Sequence, residues 1–452
     1  MATISSVSSS LILASPVRKV QEQSTAPAAT DPSIQAAAVA AGGSLPSMQP
    51  PVISPPVWKT RSSDPITSLM TINYGSPSIF SRFDGLGAAA LQRLGTDPGN
   101  FSQSVSRSGS GAQTAYRISL NITLADSVTV KVSLESTGDS LALEIKSSGK
   151  LSVAERNALS RLADGFQNAI DGMTDASKLD FSGLLQYDHS LLSSIDLQAT
   201  VQNGSVAVQT QSFHADDKTR SFSSDGPDGK VNIAVDLRQL AAIGNAQQRK
   251  AGMDAYLKQF DEAGVHGHAN AGTLATFKAA FKQMIGAGTT ATAFSTRPVN
   301  LSETDHAILT GLPDFSASMT DTPVASNPMR QNEVDTFAYQ VSQDTGINDY
   351  GHGNRSISQK QHAHLEASFH EPLSADASLA LDNSKQSQNY YFKHVSEDSI
   401  SDTEISYNNG MLAHASTTQS TTGTTLVLKY VMGMLTEETR TPFANNTKKE
   451  YK

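Results

Sequence analysis

A chain of 452 residues with a formal net charge of -9, 38% apolar and only 17% charged, is long enough for two or three ordinary domains, and its polar share rests on Ser, Thr, Asn and Gln more than on ion pairs. The acidic balance, without any Lys/Arg run interleaved with aromatics, argues against a nucleic-acid partner. The absence of cysteine excludes disulfides, thiolate metal sites, iron–sulfur clusters and Cys nucleophiles.

Residues 1–65 are rich in Ser, Ala, Pro and Gln, with Pro50-Pro51 and Pro55-Pro56 close together, and too little periodic hydrophobicity offsets their chain entropy. They read as a disordered leader, in which Trp58 either packs onto the folded body or stays exposed. Leu11-Ile12-Leu13 is too short for the apolar region of a Sec signal, and Arg18-Lys19 follow it instead of preceding it, so no cleaved Sec leader is expected.

Residues 66–240 read as an α+β meander domain. From Thr114 the period is two, with Tyr116, Ile118, Leu120, Ile122 and Leu124 on one face. Ala125-Asp126-Ser127 turns the chain, Val128, Val130, Val132 and Leu134 repeat the period, and Leu141, Leu143 and Ile145 follow the turn at Gly138-Asp139. After Gly149-Lys150, Ser152-Val153-Ala154-Glu155 has capping-box spacing, and Leu159, Leu162, Ala163, Phe166 and Ile170 form one stripe of a helix expected to lie across the meander. A hairpin is predicted around Asn203-Gly204, and a further strand through Val231, Ile233, Val235 and Leu237.

Residues 241–300 switch to a helical period, with Met253, Tyr256, Leu257 and Phe260 on one helix and Leu274, Phe277, Phe281, Met284 and Ile285 on the next, a helical hairpin. Residues 301–438 form a second β-rich region, with Ala363, Leu365, Ala367 and Phe369 alternating, then Tyr391 and Val395, and a hairpin at Asn409-Gly410. The apolar run Leu426 to Leu435 contains Lys429 and Gly433, falls far short of the ~20 residues of a membrane span, and reads as a buried strand or helix. Residues 439–452 are polar and expected to fray. The fold class is α+β: two antiparallel β-meander regions with a packed helix and a central helical hairpin.

The best chemical constellation is His362, His364, Glu366 and His370. Alternate strand residues share a face, and two imidazoles at that spacing can share a metal. The opposite face is apolar, so the plain reading is a solvated face. His266-Gly267-His268 reads as a loop between the two helices, able to bind a transition metal adventitiously. Asp180-Phe181-Ser182 and Asp188-His189-Ser190 offer carboxylates for acid/base work or calcium, against the simpler reading of a helix N-cap, as for Asp188 before Leu191-Leu192. Gly109-Ser110-Gly111 and Gly226-Pro227-Asp228-Gly229-Lys230 lack P-loop or dinucleotide spacing. The nucleophile elbow and zinc-protease helix are missing as well.

Over residues 117–201, the meander, Gly149-Lys150-Leu151-Ser152, Leu159 to Phe166, Leu179-Asp180-Phe181-Ser182 and Ser194-Ile195-Asp196-Leu197 together resemble an uncharacterised domain of unknown function from Gram-negative bacteria. The resemblance implies a bacterial source and brings no catalytic residue. The leader, Ser/Thr-rich with Ile4 near its start and no acidic residue before Glu22, resembles the export region of type III secretion substrates, which implies export without a cleaved Sec signal; the bacterial cytoplasm is the other compartment open to it.

The leading expectation is a non-enzymatic binding or structural module with a protein partner, no nucleic acid, no transmembrane segment and no cofactor. Its sheet edges would accept a partner strand. The alternative is a metal-dependent enzyme with a divalent ion held by His362, His364 and Glu366.

Overall fold

The alternation that starts at Thr114 forms a strand because one of its faces is fully covered: Ile118, Leu120, Ile122 and Leu124 are buried while Arg117 and Asn121 face solvent. The same logic repeats along the chain. The computed structural model describes residues 55–60, 62–107, 114–173, 178–286, 301–374 and 376–451. The leader up to residue 54 and the Gly109-Ser110-Gly111 loop lie outside them.

Strand dominates over helix. In chain order the strands are β1 (Val57–Trp58), β2 (Phe101–Ser106), β3 (Thr114–Leu124), β4 (Thr129–Thr137), β5 (Ser140–Ser147), β6 (Leu192–Asn203), β7 (Val206–Ala215), β8 (Thr219–Gly226), β9 (Gly229–Asp236), β10 (Asp314–Asp321), β11 (Thr336–Gly351), β12 (Asn354–Pro372), β13 (Tyr390–Asn408), β14 (Met411–Val431) and β15 (Met434–Glu450). Among the described residues they form one antiparallel sheet of 15 strands, ordered β1-β2-β5-β4-β3-β6-β7-β8-β9-β10-β11-β12-β13-β14-β15. The two β-rich regions expected from sequence are therefore a single sheet, joined where Ile233 of β9 sits opposite Ala317 of β10.

The helices are α1 (Pro65–Tyr74), α2 (Leu86–Thr96), α3 (Val153–Arg161), α4 (Ala163–Gly172), α5 (Ser182–Leu185), α6 (Ala246–Gly267), α7 (Ala271–Gly286) and α8 (Glu303–Ile308). The capping box of Ser152 and Glu155 opens α3. The single helix expected after it is two, because Leu162 closes α3 with a tight bond to the Leu159 carbonyl and starts α4. Phe260, Phe277 and Phe281 pack with ring centroids 4.8 Å apart for Phe260–Phe277 and Phe260–Phe281. Phe281 also meets Phe315 edge-on at 5.0 Å. These rings dock α6 and α7 on the sheet's apolar face, here called the front, and the main core runs from Ile66 to Val395 of β13. No residue of β14 or β15 belongs to it.

Three expectations change at the ends. Val57 and Trp58, placed in the leader by composition, pair with Ser106 and Val105, and Trp58 packs against the main core. The apolar run Leu426 to Leu435 is strand, not helix, and only partly buried: Leu426 to Val431 end β14 with Tyr430 buried, the chain then turns back on itself at Met432 and Gly433, both at positive φ, and Met434 and Leu435 are exposed. Residues 439–450, expected to fray, continue β15 and pair with β14 from Val431↔Met434 to Ser416↔Glu450. Backbone bonds to β14 hold the strand without any apolar face, which is why no alternation marks it.

Candidate functional site

The face of β12 opposite the helices carries His362 and His364, and the neighbouring strand brings Asp398 directly opposite His364. Both rings converge on one oxygen, with His362 Nε2 3.2 Å and His364 Nδ1 3.0 Å from Asp398 Oδ1. Burial alone would raise the Asp398 carboxyl; the hydrogen bonds from the two histidines hold it below its ordinary value. Glu366 is exposed, in register with Ser396 and Ala338, away from that carboxylate. Among the described residues no group of three or more His, Cys, Asp or Glu is arranged to hold a metal ion.

The His266-Gly267-His268 segment is not a free loop. His266 lies in the last turn of α6 and His268 caps it with φ 58°. His266 Nδ1 is 3.2 Å from Glu397, His268 Nε2 is 3.0 Å from Glu371, and the His268 ring stacks on Phe369 at 4.1 Å. Between them Gly267 lets the helix approach so closely that a Cβ there would lie 2.7 Å from the Phe337 ring. These histidines fasten α6 to the front of β12 and β13. Hydrogen bonding from His268, reinforced by Lys393, holds the Glu371 carboxyl down at about 2.

Asp188 is not a helix cap, because the strand β6 follows it. It accepts Ser190 N–H at 2.9 Å and Ser190 Oγ–H at 2.6 Å, and Asp180 accepts Ser182 N–H at 2.9 Å. Both are carboxylates closing local turns.

His370 lies on the same face as His362 and His364, yet its side chain is only 1% exposed. The segment from Thr322 to Asp335, between β10 and β11, folds across the back of the sheet there. His370 Nδ1 is 2.6 Å from Asp335 and Nε2 3.3 Å from Glu333; Glu333 also accepts the Tyr390 hydroxyl at 2.7 Å. Asn327 Nδ2 donates to Tyr390 Oη at 2.9 Å and to Gln388 at 2.8 Å, and Arg330 donates to the Gly433 carbonyl at 2.9 Å while lying over the Tyr430 ring. Burial opposes the imidazolium, but the hydrogen bonds and charges of Asp335 and Glu333 outweigh it and push His370 up to about 9. A ring protonated at neutral pH with both nitrogens committed to carboxylates has no lone pair for a metal or a substrate proton. The cluster is a polar clasp, closing one end of the reverse face over Tyr390, Phe392 and Tyr430.

On the front, a second buried polar group replaces the apolar core as β11 and β12 run on. Gln343 Oε1 accepts from Tyr256 Oη at 3.1 Å and Thr310 Oγ1 at 2.9 Å, Gln359 Oε1 accepts Thr310 N–H at 3.0 Å, and Asp314 accepts Thr345 N–H at 2.9 Å. Each of these groups has a partner inside the protein, whereas Gln361, whose Nε2 also points at Gln343, has no partner for its Oε1 among the described residues. A cleft of roughly 300 Å³ near Phe80, Tyr116, Met173 and Gln211 contains one charged side chain, Arg117, already engaged by Gln202 and Glu135. It lacks the paired titratable groups that acid–base catalysis needs.

Single buried side-chain atoms without a partner among the described residues, such as Gln211 Oε1, Gln361 Oε1 and Ser401 Oγ, are scattered over the molecule; the continuous unpaired row is backbone. β15 pairs on one side with β14 and on the other with nothing among the described residues. Tyr451 N–H bonds the Ala415 carbonyl at 2.9 Å, so odd residues of the strand's second half direct their N–H and C=O to β14 and even residues, from Glu438 to Glu450, direct theirs outward. Pro442 occupies an outward position, which is why β14 loses no bond to it. Phe443, on the front, covers Gly423 across the pair; a Cβ at Gly423 would lie 2.5 Å from its ring. The opposite edge of the sheet is the two-residue β1. Sequence reading missed β15 because Thr, Asn, Glu and Lys occupy both its faces; the one local sign was the turn at Met432-Gly433. No protein-family model, curated protein or solved structure matches the chain.

Proposed function

We propose that the chain is a non-enzymatic binding module that takes a protein partner as an added strand on the free edge of β15. The observation that carries this reading is the row of outward amides and carbonyls along a strand of 17 residues, against the histidine clusters around His362, His268 and His370, whose rings are engaged by carboxylates of the same chain. Added-strand recognition draws its affinity from main-chain bonds and its selectivity from alternate side chains, and β15 offers both. The leader's likeness to type III export regions and the resemblance of residues 117–201 to a Gram-negative domain support a bacterial, exported setting for that partner.

The test uses labelled extended peptides, titrated by fluorescence anisotropy against the intact chain and against Arg440→Pro/Asn446→Pro. Both substitutions remove outward donors and spare the β14 ladder. Peptides that bind the parent and lose at least about tenfold, roughly 1.4 kcal/mol, on the variant support the reading. Equal binding by both forms, or an edge that takes up no peptide, overturns it.

A further inference from the structure

The edge of β15 is complementary to itself. Its first half carries Glu437 and Glu438 and its second half Lys448 and Lys449, all exposed. Two copies laid antiparallel about a twofold axis at Phe443 place Glu437 opposite Lys449 of the other copy and Glu438 opposite its Lys448, and the symmetry repeats both pairs. The outward residues are the even ones, so this register matches even residues with even residues and lets the two rows of donors and acceptors meet. It also sets Pro442 against Ala444, the smallest side chain on the strand. Pro442 leaves one carbonyl of each partner unmatched, whereas Glu438, Arg440, Ala444, Asn446, Lys448 and Glu450 keep their outward donors.

Charge selects this register. A slip of two residues one way sets Glu438 against Glu450 and Arg440 against Lys448, like against like. A slip the other way leaves neither glutamate opposite a lysine. Opposite charges directly across a strand pair stabilise it and like charges destabilise it, so two copies in the Phe443 register gain four favourable pairs and meet no repulsive one. From Glu437 to Glu450 the shared edge is about 45 Å long at ~3.3 Å per residue, and a closed isologous pair consumes the edge on both copies.

We infer that the occupant of the β15 edge is a second copy of this chain, joined antiparallel about Phe443 into one continuous sheet across the dimer. This rests on the edge-pairing reading above and names its partner. Lys448 also meets Glu450 at 3.0 Å and Lys429 lies 3.7 Å from Glu437 within one copy. Such exposed pairs hold little energy and leave the four charges available across the edge.

The experiment is a charge swap on the full chain, read by sedimentation velocity. Glu437→Lys/Glu438→Lys faces lysines with lysines and Lys448→Glu/Lys449→Glu faces glutamates with glutamates, so each variant alone dimerises at least about a hundredfold more weakly than the parent. Mixed together, the two variants restore every opposite-charge pair, and a heterodimer of parental affinity forms. A photo-crosslinker in place of Phe443 joins position 443 of one copy to position 443 of the other. Variants that dimerise as the parent does, or a mixture that stays monomeric, overturn the inference. A parent that is monomeric throughout overturns it too; if that parent still takes up peptides in a manner lost on Arg440→Pro/Asn446→Pro, strand addition at the edge survives and only the partner's identity falls.

Discussion

Strands β2 to β10 are six to twelve residues long, whereas β11 to β15 run from 16 to 21. In the first group helices cover one face, and strand length follows the width of that cover. In the second the cover thins at β13, and Ser, Thr and Gln line both faces of β14. Cross-strand pairs such as Thr403–Thr417 at 2.9 Å and Ser399–Thr421 at 3.2 Å take over from apolar packing. Burial therefore fixes both register and extent in one half, because a one-residue slip would expose the whole apolar set. In the other half register is fixed by turns: His352-Gly353, Asn409-Gly410 and Met432-Gly433 all hold two consecutive residues at positive φ, the geometry of the tight hairpins that suit twisted strands.

If that contrast is correct, substitutions should lose their force from the helix-covered half to the edge. Phe281→Ala, at the centre of the ring cluster, should cost about 4 kcal/mol, within the range for buried aromatics, with chemical denaturation showing one cooperative loss of the sheet. His370→Ala should cost about 3 kcal/mol by removing the cation from buried Glu333, which keeps Arg330 at 3.6 Å as its other cation, and from half-buried Asp335. Because His370 is raised to about 9 in the folded protein from about 6.5 unfolded, the stability it contributes is complete below about pH 6.5 and is lost as pH rises through 9. The parent's urea midpoint should fall across that window while the alanine variant's stays flatter; a parent insensitive to pH there would place the clasp's importance elsewhere.

Gly267→Ala should be milder, about 1–2 kcal/mol of overpacking against Phe337, and should show as faster amide exchange at the end of α6. Smallest, in the monomer at concentrations too low for edge pairing between copies, is Arg440→Pro, with a change in melting free energy within about 0.5 kcal/mol, since the lost N–H made no bond to β14 and surface changes are usually this small. A large loss in that monomer would mean that the outward amides of β15 are used within one chain, and the contrast between the halves would disappear.

Much of the covered half was legible in the sequence because burial of one face leaves a period. The strands around Ile118, Val132, Leu143, Ile195 and Ile233, the ring-bearing helices around Phe260 and Phe281, and the box at Ser152 and Glu155 all wrote themselves into local spacing, whereas β8, with Phe222 and few other apolar residues, and the helices before β3 did not. The polar half did not, except at its turns: Asn409-Gly410 was readable, β15 was not. The histidine face shows the limit most clearly. His362, His364 and His370 have the same strand parity, and only a segment more than thirty residues upstream decides that the first two pair with Asp398 while the third is sealed beneath Glu333 and Asp335. Those two acids stand two apart, as strand neighbours on one face do, but nothing nearby in sequence says which face they will cover.

From β6 to β15 the order of strands in space is the order in the chain. Each new strand can therefore zip onto one already laid down, closing a short loop at the tight turns and a longer one where the helices, residues 322–335 or residues 373–389 intervene. Local closures of this kind take microseconds and carry little entropy of loop formation, so a molecule with a sheet this wide need not fold slowly, and its growth can keep pace with synthesis, the outermost strand arriving last.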